Sequence, residues 1–290
     1  MNIKYSVSSY SFSRLVNEGK YKEIELPALA KEMGFDGIEF AEIHNGDIDK
    51  KEYAKMLRDE CERVGIEVAN YAIGADFIYG SDGDIEKEIE RLKGEVDIAE
   101  ILGCKTMRHD ATRGFDKNIH PQKGFPDALP IVIKGCRAVT EYAKTKGIRT
   151  MVENHGYFIQ DSLRLEDIVC GVDNENFGLL LDMGNFLCAD EDPEKAFGRL
   201  VSFAYMIHSK DFHVKSGNNI APKNGFFTTR GGNFLRGAII GHGDVPVLQC
   251  LNILKNANYS GYITVEFEGM EDPILGVKYG FENLKYYAQL

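Results

Sequence analysis

At 290 residues the chain has room for one large domain or two small ones, and its 43% hydrophobic and 27% charged residues suit a globular protein with a sizeable core. A formal net charge of −11, with no dense run of Lys and Arg, argues against nucleic acid or another polyanion as partner. No stretch reaches the roughly 18–20 apolar residues of a membrane span. The N-terminal MNIKYSV lacks a signal-peptide plan, and the six cysteines are scattered without a Cys-x-x-Cys pair, so no membrane partner and a reducing, cytoplasmic home are expected.

Apolar runs of strand length fall near residues 4–8, 37–41, 66–71, 105–109, 148–153, 178–182, 203–208 and 262–267. Helical stretches alternate with them near 22–33, 49–64, 84–102, 126–146, 163–171, 193–200, 245–256 and 273–288. Four of the helix-to-strand joints carry a glycine, at Gly34, Gly65, Gly103 and Gly147, where a left-handed residue closes a last helical turn. The runs that follow are rich in Ile, Val, Phe and Met, which suits strands buried on both faces of a parallel sheet. Eight strands alternating with eight helices leave a closed barrel or a doubly wound open sheet. The open sheet usually carries a Gly-rich phosphate loop after its first strand, whereas SSYSFSRL here holds no glycine. The reading is therefore a single (β/α)8 TIM barrel spanning 1–290.

One connection breaks the rhythm. About 35 residues at about 209–244, including GNNIAPKNGFFTTRGG, form a long loop that reads either as a functional lid or as a solvated insertion. It carries His213, Phe226 and Phe227, the aromatics suited to shielding a ligand or to packing beneath the loop.

The last four strands each stop on a metal-capable side chain: Glu153 after RTMV, Asp182 after GLLL, His208 after AYMI and Glu266 after YITV. A single acid at a strand end is commonly a helix cap or a surface charge; four successive strands ending this way call for a common cause. In a parallel barrel all strand C-termini open on one face, so these side chains converge. Three carboxylates gathered there repel one another unless one is protonated or a cation sits among them. Mixed oxygen and imidazole donors without cysteine suit one divalent metal such as Mn²⁺, Mg²⁺, Co²⁺, Zn²⁺ or Fe²⁺ rather than a closed structural zinc.

The motifs ENHG (153–156), LDMGN (181–185), HSKD (208–211), GHGDVPV (241–247) and GYITVEFEG (261–269) resemble the xylose-isomerase-like barrels grouped as sugar phosphate isomerases/epimerases. The resemblance runs over essentially the whole chain. It implies metal ligands at Glu153, Asp182, His208 and Glu266, and proton transfer by the two glutamates. Ketose 3-epimerases, hydroxypyruvate isomerase, inosose dehydratase and endonuclease IV share this superfamily. The epimerases and the endonuclease typically place a histidine three residues after the aspartate, where this chain has Asn185. That departure counts against standard 3-epimerase activity and more strongly against endonuclease activity.

The implied chemistry is proton abstraction next to the carbonyl of a small carbohydrate, through an enediolate. Its outcome is isomerisation or epimerisation, with dehydration of an oxidised sugar or inosose as the alternative on the same metal. Further candidates are His155, Asn185 and Lys210 for substrate, with Lys210 pairing to Asp211 as its plain structural reading. His109, Asp110, Glu39 and Glu42 lie on the same rim. A DNA repair hydrolase and a non-catalytic sugar-binding barrel are the remaining classes. A homo-oligomer through the loops is compatible with the sequence.

Overall fold

The computed structural model describes residues 3–290. Eight parallel strands close into a barrel: β1 (Ile3–Ser8), β2 (Gly37–Ala41), β3 (Glu67–Ile73), β4 (Thr106–His109), β5 (Arg149–Glu153), β6 (Phe177–Asp182), β7 (Ala204–Ser209) and, after a small separate sheet, β11 (Gly261–Val265). β11 pairs with both β1 and β7, so no barrel edge is left open. The expected helices form the outer layer, and the longest, Phe125–Thr145, follows β4. The long helices Lys50–Val64 and Ile85–Leu102 end on Gly65 and Gly103 at φ 72° and 82°, left-handed positions where a side chain would be strained.

Two apolar layers hold the barrel. The larger lies between the outer faces of the strands and the helices, with Phe35, Leu57, Leu92, Val139, Leu165 and Phe197 among its fully buried members. The smaller fills the barrel interior with Ala69, Met151, Leu180 and Met206. Side chains alternate along a strand, so Met151, Leu180 and Met206, each two residues before Glu153, Asp182 and His208, point the same way as those ligand candidates. They form the floor beneath the site. Each buried Met or Leu contributes roughly 1.5–3 kcal/mol, and together they exclude water from the underside of the polar cluster.

The 209–244 stretch has secondary structure of its own. β8 (Asp211–Lys215), β9 (Phe227–Thr228) and β10 (Phe234–Ala238) make a three-stranded antiparallel sheet in the order β8-β10-β9. Its return is pinned by the Asp211 carboxylate, which accepts backbone N–H groups from Gly241 (2.8 Å), Gly243 (2.9 Å) and Val245 (3.0 Å). Phe227 packs edge-on against Phe212 with ring centroids 5.6 Å apart, and Arg236 lies over the Phe226 ring. Arg230 reaches Asp161 at 3.1 Å, and Asp190 accepts from Thr229 and Asn233, fastening the small sheet to the loops after β5 and β6. Among the described residues, no helix is long and apolar enough to cross a membrane.

Candidate metal centre

Glu153 closes β5, Asp182 closes β6, His208 lies one residue before the end of β7, and Glu266 follows β11 by one residue. One ligand atom from each lies within 4.8 Å of all the others. Donors about 2.0–2.2 Å from a shared ion stand roughly 3–4.4 Å apart, so the cluster comes close to the spacing of a coordination shell. His208 presents Nδ1, which is 3.8 Å from Glu153, 3.8 Å from Asp182 and 3.7 Å from Glu266.

The local chain sets each ligand atom. Asp182 spends Oδ1 on the backbone N–H groups of Gly184 and Asn185, both at 2.7 Å, which leaves Oδ2 facing the centre. Asn154 locks the strand end by exchanging two hydrogen bonds with the Asp182 backbone. His208 Nε2 meets Glu39 Oε2 at 3.0 Å, and Asn70 donates to the same carboxylate at 2.9 Å. A carboxylate behind one ring nitrogen fixes the tautomer and turns the other nitrogen toward the ion.

Asp182 Oδ2 and His208 Nδ1 are buried and have no hydrogen-bond partner. Buried polar atoms are nearly always satisfied, and two facing orphans at the centre of an acid cluster fit a divalent cation. The charges crowded here shift one another strongly. Burial pushes the Asp182 carboxyl up to about 7, with the neighbouring glutamates adding to the effect. His208 is held well above its ordinary value despite its burial, because the Glu39 and Glu266 carboxylates surround it. Mixed carboxylate and imidazole donors admit Mn²⁺, Co²⁺, Zn²⁺ or Fe²⁺.

Two cations brace the glutamates. Lys210 Nζ lies 2.5 Å from Glu266 Oε2 and 3.7 Å from both Asp182 and Glu268. Against burial, the Lys210 ammonium and the His208 ring hold the Glu266 carboxyl well below the usual range. Lys210 is thus drawn into the acid cluster, while Asp211, its alternative partner by sequence, is occupied by backbone N–H groups. On the opposite side Arg108 Nε stands 2.6 Å from Glu153 Oε2, with its Nη2 2.9 Å from Asp110 and its Nη1 on the Ile73 carbonyl. Arg108 is the residue that sequence reasoning missed. It sits second to last in β4, one place before His109, and the pairing of β4 with β5 sets it opposite Met151, two residues before Glu153.

The remaining candidates divide. Asn185 is buried, donates to Glu153 Oε1 at 3.0 Å and accepts from Lys210 at 3.3 Å, so it links the two cation–glutamate pairs rather than lining the cavity. His155 hydrogen-bonds Asp110 at 2.9 Å and lines the cavity. His109 does not: it is buried edge-on against Phe77, and burial pushes its pKa down to about 4. Glu39 and Glu42 both border the cavity, which opens above the cluster with a volume of about 480 Å³. Neither Phe226 nor Phe227 borders it. His213, in β8, is only half-buried.

The Glu39–His208 contact carries a quantitative expectation. Glu39→Gln weakens Mn²⁺ or Zn²⁺ binding by roughly 10–100-fold, because the imidazole loses its negative partner. Titration of the metal-free variant by calorimetry measures it, and native affinity would separate Glu39 from the centre.

The sequence model of the xylose isomerase-like TIM barrel matches residues 27–287. An inosose dehydratase of Clostridium perfringens is 25% identical, over 99% of this chain and 97% of the relative. Among solved structures, the IOLI protein with a bound zinc atom superposes with a TM-score of 0.75 at 16% identity, covering 99% of this chain and 98% of that one. An L-ribulose 3-epimerase superposes with a TM-score of 0.73 at 15% identity, covering 100% and 95%. Dehydratase and epimerase names stand side by side among these relatives, and the match over nine-tenths of its length, on a closed eight-stranded barrel, makes this chain a member of the xylose isomerase-like TIM barrel family.

Proposed function

We propose that the protein is a divalent-metal-dependent enzyme that moves a proton at the carbon next to the carbonyl of a sugar or sugar-derived keto compound, as an isomerase or epimerase. The observation that carries this reading is the placement of Glu153 and Glu266 across one buried ligand cluster, each backed by its own cation, at the floor of a polar cavity. When bound, the metal supplies Lewis acidity toward the carbonyl and the adjacent hydroxyl oxygen.

The chain supplies the rest. Glu266 and Glu153 come from β11 and β5, on different sides of the barrel mouth, so a substrate lying between them meets a carboxylate on either side. One takes the α-proton and the other, or the same one, returns a proton to carbon. Arg108 and Lys210 hold the two carboxylates in place and keep their charge tolerable in a buried setting. Asn185 fixes the position of Glu153 through Oε1. His155 and Asp110 offer a donor and an acceptor to substrate hydroxyls at the cavity wall.

A second reading is dehydration of a keto-inositol or oxidised sugar, in which the same α-deprotonation is followed by loss of a β-hydroxyl. The inosose dehydratase likeness over nearly the full length supports it, as does Asn185 at a position where the epimerases typically carry histidine. The two separate in D₂O. The Mn²⁺-loaded protein is incubated with ketoses and keto-inositols and followed by NMR. Deuterium entering the α-carbon of recovered substrate or its isomer is the expected result of the first reading. Release of water with formation of an unsaturated or diketone product selects the second. Absence of both from every ketone in the panel would overturn the enolising reading itself.

A further inference from the structure

Two of the long outer helices carry exposed charges in pairs. On Lys50–Val64, Arg58 meets Asp59 and Arg63 meets Glu60; on Ile85–Leu102, Arg91 meets Glu88 and Lys93 meets Glu90. The C-terminal helix, Pro273–Gln289, is different. Its inner face is buried through Val277, Phe281 and Leu284. Its outer face shows Leu275, Tyr279, Tyr286 and, at the cap, Leu290, which are 46%, 44%, 59% and 58% exposed. Successive residues turn by about 100° around a helix, so these four fall in one stripe roughly 60° wide. Lys278, Glu282 and Lys285 are exposed along the same face, and among the described residues none of them has an ion-pair partner. An apolar patch with a charged rim is the usual mark of an interface.

From this face we infer that two copies of the chain pair through the C-terminal helix, antiparallel across a two-fold axis. The spacing carries the inference. Leu275 and Tyr279 stand four residues apart, as do Tyr286 and Leu290, and the two pairs mirror each other about the midpoint between Glu282 and Asn283. An axis at that midpoint sets Leu275 against the second copy's Leu290 and Tyr279 against its Tyr286. Each contact is made twice, as a self-complementary interface requires. A foreign partner would place no such demand for mirror symmetry on this chain.

The charges fit the same operation. Glu282 and Lys285 lie on one flank of the stripe, and in an antiparallel pair like flanks face each other. Glu282 then stands within about 3 Å, measured along the axis, of the level of the second copy's Lys285. Charges without partners on one copy thus meet opposite charges on the other, again twice. A groove of about 520 Å³ beside the C-terminal end of the stripe, lined by Pro246, Leu248 and Tyr287 among others, widens the patch. A stable pair hides roughly 800 Å² on each partner. The helix begins at the barrel mouth, after the loop that carries Glu266, and runs back to the far end. The two mouths therefore open in opposite directions, and both sites stay accessible. The inference is independent of the proposed chemistry, and it sets self-association on the helical layer rather than on the loops.

Sedimentation equilibrium of the metal-loaded protein over a concentration series tests it, with a mass near twice 32.5 kDa expected. Tyr279→Glu combined with Tyr286→Glu is expected to weaken pairing at least about 100-fold, because each aromatic anchor is lost at two places. Glu282→Lys alone and Lys285→Glu alone each set like charges face to face and are expected to weaken it roughly tenfold. The double variant carrying both changes is expected to recover the native affinity. All four positions are exposed, and circular dichroism checks that each variant keeps the barrel. With the exposed Cys170 changed to Ser, joint Tyr279→Cys and Tyr286→Cys changes are expected to cross-link two copies on oxidation, while either alone does not. A native protein that stays monomeric overturns the inference. So does a dimer indifferent to the tyrosine changes, a charge swap that recovers nothing, or cross-linking by a single cysteine variant.

Discussion

Glu266→Gln is expected to lower α-proton exchange by roughly 10²–10⁴-fold, the usual contribution of a positioned general acid–base group. Glutamine keeps the shape but accepts no proton, and it also removes one anionic donor from the metal set. The two effects are separable. If metal content, measured on the same sample, stays near one ion per chain while exchange collapses, the loss belongs to proton transfer. The change leaves Lys210 facing Asp182 at 3.7 Å and Glu268 at 3.7 Å, so the ammonium keeps partners and the fold should hold. Glu153→Gln is expected to lose activity on the same scale. Unchanged turnover in both variants would remove the glutamates from the chemistry.

Arg108→Met carries the largest expected cost in stability. The guanidinium is buried among Glu153, Asp110 and the Ile73 carbonyl. Burial alone would lower its pKa, yet the surrounding carboxylates hold it raised above the ordinary arginine value, so it remains charged. Removing one partner of a buried ion pair typically destabilises by about 3–5 kcal/mol, because the other charge stays buried without compensation. Here two carboxylates lose their guanidinium, keeping only His155 at Asp110 and Asn185 at Glu153, and Asp110, now held down to about 2 chiefly by Arg108 against its own burial, loses its main support. Urea melts of the metal-loaded variant measure the effect. Arg108→Lys restores the charge but not the forked geometry, so it should recover stability better than activity. A variant at Arg108 as stable as the native protein would show that the pair does not hold Glu153.

Much of the barrel was legible along the chain because its signals are local. Glycines at helix ends, short two-sided apolar runs and the alternation itself arise within windows of ten or so residues. They placed the strands within about two residues of their observed ends. The convergence of the four strand-end residues was legible for a related reason: when every strand runs the same way, a strand-end position is a position in space. Glu266 shows the margin, standing one residue beyond β11 yet still at the rim.

The second layer of the site was not legible in the same way. Glu39 reaches His208 across a sequence separation of 169 residues and across the barrel mouth, and Arg108 reaches Glu153 across 45 through the pairing of β4 with β5. Asn185 stood as a substrate candidate by sequence, and only the structure places its amide between Glu153 and Lys210. The 209–244 stretch offered no strand-like periodicity, and its small sheet depends on partners that include Asp190 and Asp161 in other loops.

By itself, then, the sequence determined the alternation of strand and helix, the parallel barrel and the four residues its mouth brings together, because apolar periodicity and strand direction are properties of the chain alone. Which atoms face the centre of the cluster, which cations brace the glutamates and which charges wall the cavity were settled by the folded chain. Those depend on side-chain approach between segments far apart in sequence, where burial and Coulombic pairing act over a few ångströms and leave no periodic trace in the sequence.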